Sequence, residues 1–153
     1  LLDIGIYPLA LAQAVFEQAP ETIATTAHMG ETGVDLQSGM VLHYPGGACA
    51  VLSCSLETAM PQEAVIAGTE GYIRIPHEFS HSDALVVCRD GHEDTMRFDR
   101  RGIGYYWEAE EAGRCIRHGH LESSVMPARE TLALLETMDR VREAWGLKYP
   151  GED

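Results

Sequence analysis

The sequence predicts an α+β fold, an open and largely antiparallel β-sheet with helices packed on one face. Three observations predict it. Apolar residues recur at helical spacing at both ends of the chain, a run of short alternating segments rich in β-branched residues lies between them, and the connections joining those segments are too short for parallel crossovers. With 153 residues, 45% hydrophobic and 23% charged, the chain has the composition of one ordinary domain that buries about two-thirds of its unfolded surface. A single core spanning 1–153 is therefore expected.

The first helix is predicted over Ile4 to Gln18, where Ile4, Leu9, Leu11, Ala12, Val15 and Phe16 fall near helical spacing. Ala19-Pro20 ends it, since proline cannot continue a helix, and Pro8 fits only near the first turn. Strands are predicted at Thr22 to Met29, Val34 to Tyr44 and Ala48 to Glu57, the last two forming a hairpin across Pro45-Gly46-Gly47. Further strands are expected at Gln62 to Ala67, Tyr72 to Ile75, Ala84 to Arg89 and Thr95 to Phe98, with turns at Gly68-Thr69-Glu70-Gly71 and Asp90-Gly91. Tyr105 to His118 returns to helical spacing, with Glu108, Glu110 and Glu111 early, where the helix dipole favours acids. The last helix, Ala128 to Trp145, repeats Leu132, Leu135, Met138, Val141 and Trp145 and stops at Gly146. Helices on one side leave the other sheet face uncovered, and the strands carry apolar residues on both faces. A homodimer through that open face is expected.

Composition also excludes partners. The 24 acidic residues against 11 basic give a formal charge of -13, and Lys148 is the only lysine, so nucleic acid and anionic membranes should be repelled. No apolar run reaches the roughly 18 residues of a membrane span, and the amino end lacks a basic region and a small-residue cleavage site. A cytoplasmic protein is expected. Cys49, Cys54, Cys88 and Cys115 form no Cys-x-x-Cys pair and sit mostly in apolar runs, which predicts buried reduced thiols. His77 with His81, and His118-Gly119-His120, have spacings from which metal sites are built, but no carboxylate or cysteine completes a set, so no metal is expected. Asp90-Gly91-His92-Glu93-Asp94 lacks the oxygen spacing of a calcium loop and reads as a hairpin turn. There is no Gly-x-Gly-x-x-Gly segment and no Walker loop, so nothing in this chain is expected to cradle a pyrophosphate.

Asp3 and Tyr7 are the candidate catalytic residues. Four apart at the start of the first predicted helix, they would share a face, with Gly5 between them leaving room for a ligand. A phenol ordinarily ionises near about pH 10, so as a base it needs a neighbouring cation, while a carboxylate could orient that cation or the substrate. The competing structural reading makes Asp3 a helix N-cap and Tyr7 a half-buried aromatic. Arg74, His77, Phe79 and Tyr105 could line a substrate pocket, though each reads more readily as a solvent-facing turn residue. The nucleophile candidates Ser53, Cys54, Ser55 and Ser123 lack a Gly-x-Ser-x-Gly elbow, which argues against a hydrolase.

Leu2-Asp3-Ile4-Gly5-Ile6-Tyr7-Pro8-Leu9 resembles the segment that opens the second domain of the Gfo/Idh/MocA oxidoreductases, in particular the branch of dihydrodiol and xylose dehydrogenases. Pro45-Gly46-Gly47-Ala48, the segment Ile66 to Ile73 with its Gly-Thr-Glu-Gly turn, Tyr106 to Glu111, Glu122-Ser123-Ser124 with Met126-Pro127, and the closing helix resemble it in the same order. The resemblance implies that Tyr7 exchanges a proton with the substrate hydroxyl or carbonyl, that Asp3 positions substrate or a catalytic lysine, and that this lysine and the NADP or NAD site lie in a Rossmann domain outside this chain. On that basis residues 1–153 are expected to be a substrate-binding and dimerisation domain. The implied reaction is oxidation of a secondary alcohol of a cyclic diol, polyol or sugar, inactive in this chain alone and with no cofactor held by it. The opening Leu1-Leu2-Asp3-Ile4-Gly5, without methionine or polar lead-in, fits a chain that begins inside a longer protein. The alternative is a non-catalytic dimerisation or binding module of the same fold.

Overall fold

The computed structural model describes residues 1–102 and 104–152. The element order is α1 (Ile6–Phe16), β1 (Thr22–Met29), β2 (Asp35–His43), β3 (Cys49–Ser55), β4 (Ala64–Gly68), β5 (Gly71–Ile75), β6 (Ala84–Arg89), β7 (His92–Arg97), α2 (Tyr106–His118) and α3 (Ala128–Trp145). The α+β class stands, but the strands form two antiparallel sheets, β1-β2-β3 and β4-β5-β6-β7, rather than one. The chain correspondingly divides into two compact units, Leu1–Met60 with Ser124 onward, and Pro61–Ser123.

In the first unit the alternation of β2 decides which face is buried. Ser38, Met40 and Leu42 are buried, followed by Tyr44, while Gln37 and His43 are exposed. Pairing of Ile23 with Leu42 and of Leu42 with Ala50 carries the same face across the sheet. α1 and α3 cover it, and α3 presents Leu134, Met138 and Val141 at i, i+4 and i+7. These join Leu1, Leu9, Met40, Leu42 and Tyr44 in one core, with Phe16 stacked on Tyr44 at 4.0 Å between ring centroids. Burying each such side chain stabilises by about 1.5–3 kcal/mol. Polar ties pin the layers: Trp145 Nε1 donates to Thr25 Oγ1 (3.1 Å) and Arg140 Nη1 to the Pro20 carbonyl (2.7 Å).

The opposite face of this sheet is the more exposed one. Ala24, Val41 and Val51 form one cross-strand row, and Thr26, Gly39 and Ser53 the next, with Val51 77% exposed. Cys49 belongs to this outer face and is exposed, contrary to the expectation of buried thiols; it sits in an apolar run, but strand alternation turns it outward. Cys54 and Cys115 are buried and all four cysteines are free.

The second unit is thinner. Its Gly68-Thr69-Glu70-Gly71 turn joins β4 to β5, and Gly71 is required there: at φ 155° a Cβ would lie 2.0 Å from the Cys88 carbonyl oxygen. Asp90 and Gly91, both at positive φ, close the β6–β7 hairpin as expected for a type I′ turn. β7 starts at His92 rather than Thr95, and all six of its residues are exposed. α2 ends at Gly119, whose N–H caps the last turn. Among the described residues no helix is long and apolar enough to cross a membrane.

Candidate functional site

Asp3 and Tyr7 belong to the first unit, where the opening residues meet α1. The helix starts at Ile6, two residues later than the apolar spacing suggests, and residues 2–5 form a turn. Asp3 is therefore not in the helix, and it is not the N-cap either; Gly5 occupies that position without a side-chain bond. The turn is fixed by contact. A Cβ on Gly5 would lie 2.9 Å from the Leu1 carbonyl oxygen and 3.0 Å from its Cα, so the turn and the helix start approach as closely as glycine permits. Pro8 sits at the third helical position, where its missing N–H costs no intrahelical bond.

Tyr7 is 44% exposed and Asp3 is exposed. Among the described residues neither side chain has a hydrogen-bond or ion-pair partner. Asp3 thus stands on the turn and Tyr7 on the first turn of α1; the aspartate is not the helix cap, while the exposure of Tyr7 also fits a half-buried aromatic. Leu1 and Asp35 are buried. A cavity of about 210 Å³ lies elsewhere in this unit, lined by Leu9, Gln13, Tyr44, Glu130 and Leu134 among others. It is held by Gln13 Nε2, which donates to the Glu130 carbonyl and to its Oε2, both at 2.8 Å.

The second unit holds a cavity of about 330 Å³, lined by Ser80, His81, Ser82, Phe98, Asp99, Arg100, Arg101, Gly104 and Trp107. None of the pocket candidates named from sequence is among its lining residues. His77 Nδ1 lies 2.9 Å from the Pro61 carbonyl, Phe79 opens a 3-10 turn, Arg74 lies within β5, and Tyr105 is the 62% exposed N-cap of α2. Two adjacent arginines in a strongly acidic chain, just ahead of a glycine-flanked helix start, were the available signal for this cavity.

A third cluster is centred on Glu111 in α2. It accepts from Arg114 Nε and Nη2, each at 2.7 Å, and from Ser123 Oγ at 2.6 Å. Those bonds, Arg114 first and Ser123 second, lower its pKa from the ordinary value to about 2. Burial pushes the neighbouring Cys115 thiol up. The cluster is fully engaged in tying the segment after α2 back onto the helix, so it is structural. His118 Nδ1 contacts the Arg114 carbonyl at 2.8 Å, and no group of three or more metal-ligating side chains occurs among the described residues.

Comparison with known proteins adds a family. The model of the GFO/IDH/MocA C-terminal domain matches residues 1–74. The chain is 32% identical over 158 residues to the trans-1,2-dihydrobenzene-1,2-diol dehydrogenase of Oryctolagus cuniculus, covering 98% of this chain and 48% of that protein. The Homo sapiens protein of the same name is 33% identical, with 98% and 47% covered. The chain thus spans about half the length of the curated relatives it matches. Among solved structures, the aldose-aldose oxidoreductase from Caulobacter crescentus superposes with a TM-score of 0.79 at 18% identity, over 94% of this chain and 44% of that one. A 3-ketoreductase from Actinomadura kijaniata gives 0.75 at 20%, over 93% and 46%. At these identities the structural matches establish the fold.

Proposed function

We propose, from the chain's membership of the GFO/IDH/MocA family, that it is the substrate-binding half of an NADP- or NAD-dependent oxidoreductase acting on a secondary alcohol of a cyclic diol, polyol or sugar. The observation that carries this reading is the pair Asp3 and Tyr7, unpartnered and exposed where a turn that glycine packing fixes runs into the start of α1. The names of the relatives, diol dehydrogenases along nearly the whole chain, support the substrate class.

In this reading the dinucleotide is held outside this chain, which is supported by the antiparallel pairing of both sheets, since a pyrophosphate ordinarily meets the helix N-terminus of a strand–helix–parallel-strand unit. In this reading the hydride chemistry and the cation that favours a phenolate belong to a nucleotide-binding domain outside the chain. Tyr7 takes the proton from the substrate hydroxyl during oxidation and returns it during reduction. Asp3 accepts a hydrogen bond from a second substrate hydroxyl or from the cation. The small-residue rows around Ala24, Val41 and Val51 support a homodimer through the outer face of β1-β2-β3, and the four free cysteines are in keeping with a reducing, cytoplasmic setting.

The test is NADP+ and NAD+ reduction by the full-length protein with a cyclic trans-diol and with D-xylose, in the parent and in Tyr7→Phe. Turnover by the parent and a loss of about 100-fold or more in the variant is expected, because acid–base groups typically contribute 10²–10⁴-fold. Full activity in Tyr7→Phe would remove the residue from the chemistry. A parent inert with both substrates would favour the non-catalytic module.

A further inference from the structure

We infer that the cavity of the second unit binds a small molecule carrying an oxyanion, a phosphate ester or a carboxylate, through Arg101 and Arg100. This inference is independent of the reading of Asp3 and Tyr7, which lie in the other unit.

Charge distribution is the first ground. The chain carries a formal charge of -13, yet the lining of this cavity sets two arginines and a histidine against the single carboxylate of Asp99. Glu78 beside Arg100 and Glu110 near Arg101 are not among the lining residues, so in the walls of this concavity of about 330 Å³ the guanidiniums outnumber the carboxylate.

Preorganisation is the second. Arg101 Nη1 donates to the Tyr106 hydroxyl at 3.3 Å, and its guanidinium carbon lies 5.7 Å from the Tyr106 ring and 5.6 Å from the Trp107 ring. The rings, themselves edge-to-face at 5.0 Å, hold the planar fork in place while most of its five donors stay open. A carboxylate or phosphate matches that fork, and little rotamer entropy is left to lose on binding. Arg100 Nη2 is 3.2 Å from Glu78 Oε2, with the two side chains 50% and 45% exposed. So exposed a pair is weakly held and can yield the guanidinium to a ligand.

The opposing wall is built to match. Ser80 Oγ lies 2.9 Å from His81 Nδ1, fixing the imidazole. The ring then seats against Gly104, where a Cβ would meet His81 Nε2 at 2.6 Å; Gly104 also has φ 105°, a conformation side chains rarely adopt. Ser82 Oγ is spent locally, donating to the Ala84 carbonyl at 3.0 Å, so the polar recognition falls to the guanidiniums, while Phe98 and Trp107 give apolar surface for the carbon skeleton of the ligand.

The experiment is isothermal titration of the intact protein with inorganic phosphate and with acetate, then with glucose 6-phosphate, glucuronate and glucose. Parent, Arg100→Gln, Arg101→Gln, Arg101→Lys and Arg117→Gln are compared. Arg100, Arg101 and Arg117 are all exposed, so the substitutions leave the fold intact, and Arg117 controls for loss of one charge away from the cavity. Saturable binding of an anion by the parent is expected, weakened about tenfold or more in Arg101→Gln, as for loss of a charge-assisted bond, and only partly restored by lysine. Tighter binding of glucose 6-phosphate assigns a phosphate ester, and tighter binding of glucuronate a carboxylate. The inference fails if neither anion saturates in the millimolar range, if glucose binds as well as its charged relatives, or if Arg117→Gln weakens binding as much as Arg101→Gln.

Discussion

The two units of this chain invest their residues differently. The first spends its apolar side chains on one core, with Val141 at 0%, Met138 and Leu42 at 1% and Leu9 and Met40 at 2% exposure. Among the described residues the second has none so deeply buried: Ala84, Cys115, Val86 and Ile75 lie between 5% and 9%, and β7 is exposed along its length. The first is therefore a scaffold that carries Asp3 on a packed turn and Tyr7 on the helix start that follows it. The second gathers arginines, histidine, serines and aromatics around a cavity on a thin support. Close packing fixes geometry, whereas a sparsely packed surface is free to vary in chemistry.

Truncating methionine in each unit gives the largest expected effect. Met138→Ala, fully buried under the sheet, should destabilise by about 2–5 kcal/mol, whereas Met96→Ala on exposed β7 should stay within about 0.5 kcal/mol. Chemical denaturation of both variants checks this. Comparable losses would mean that β7 is covered in the working protein and that the contrast belongs to the isolated chain.

Gly5→Ala comes next, because it tests whether the packed turn is what positions the site. A methyl group at 2.9 Å from the Leu1 carbonyl must push backbone aside, at about 1–3 kcal/mol for overpacking. Under the proposed chemistry this should lower turnover while leaving Tyr7 chemically intact, so the pH profile of the remaining activity should keep its shape. A variant equally stable and equally active would show that the turn adapts.

Most of the fold was legible because period and punctuation agree in it. The strand Thr22 to Met29 and the helix Ala128 to Trp145 have the bounds that alternation, helical spacing and Gly146 imply. The misplaced boundaries have physical causes. Nothing in the alternation of Cys49–Ser55 and Ala64–Gly68 says whether those strands pair, so one sheet was expected where there are two. His92, Glu93 and Asp94 extend a strand buried on neither face, where hydrophobic period carries no signal. Helical spacing reaches back to Ile4, but contact between Gly5 and Leu1 delays the helix to Ile6. Asp3 and Tyr7 could be named because they lie together in sequence. For the arginine cavity the sequence offers only the adjacent Arg100 and Arg101, since His81 and Trp107 join them only through the fold.

The smallest effect at neutral pH, and the one that isolates the second unit, concerns Glu111. Its folded pKa of about 2 lies below the ordinary 4.5 because Arg114 and Ser123 donate to the ionised form. A depressed folded pKa stabilises fully above the unfolded value, and that stabilisation is lost as pH falls from about 4.5 toward about 2. Glu111→Gln removes the titration, so α2 in the variant should lose less of its stability across that window than α2 in the parent. Amide exchange at Arg114 to His118, followed from neutral pH to about pH 3, reads this in the second unit alone, while the core around Met138 serves as an internal reference. Parallel acid profiles for α2 in parent and variant would mean that the Arg114 and Ser123 bonds contribute no net stability. The second unit would then owe its order to its sheet and not to this polar tie.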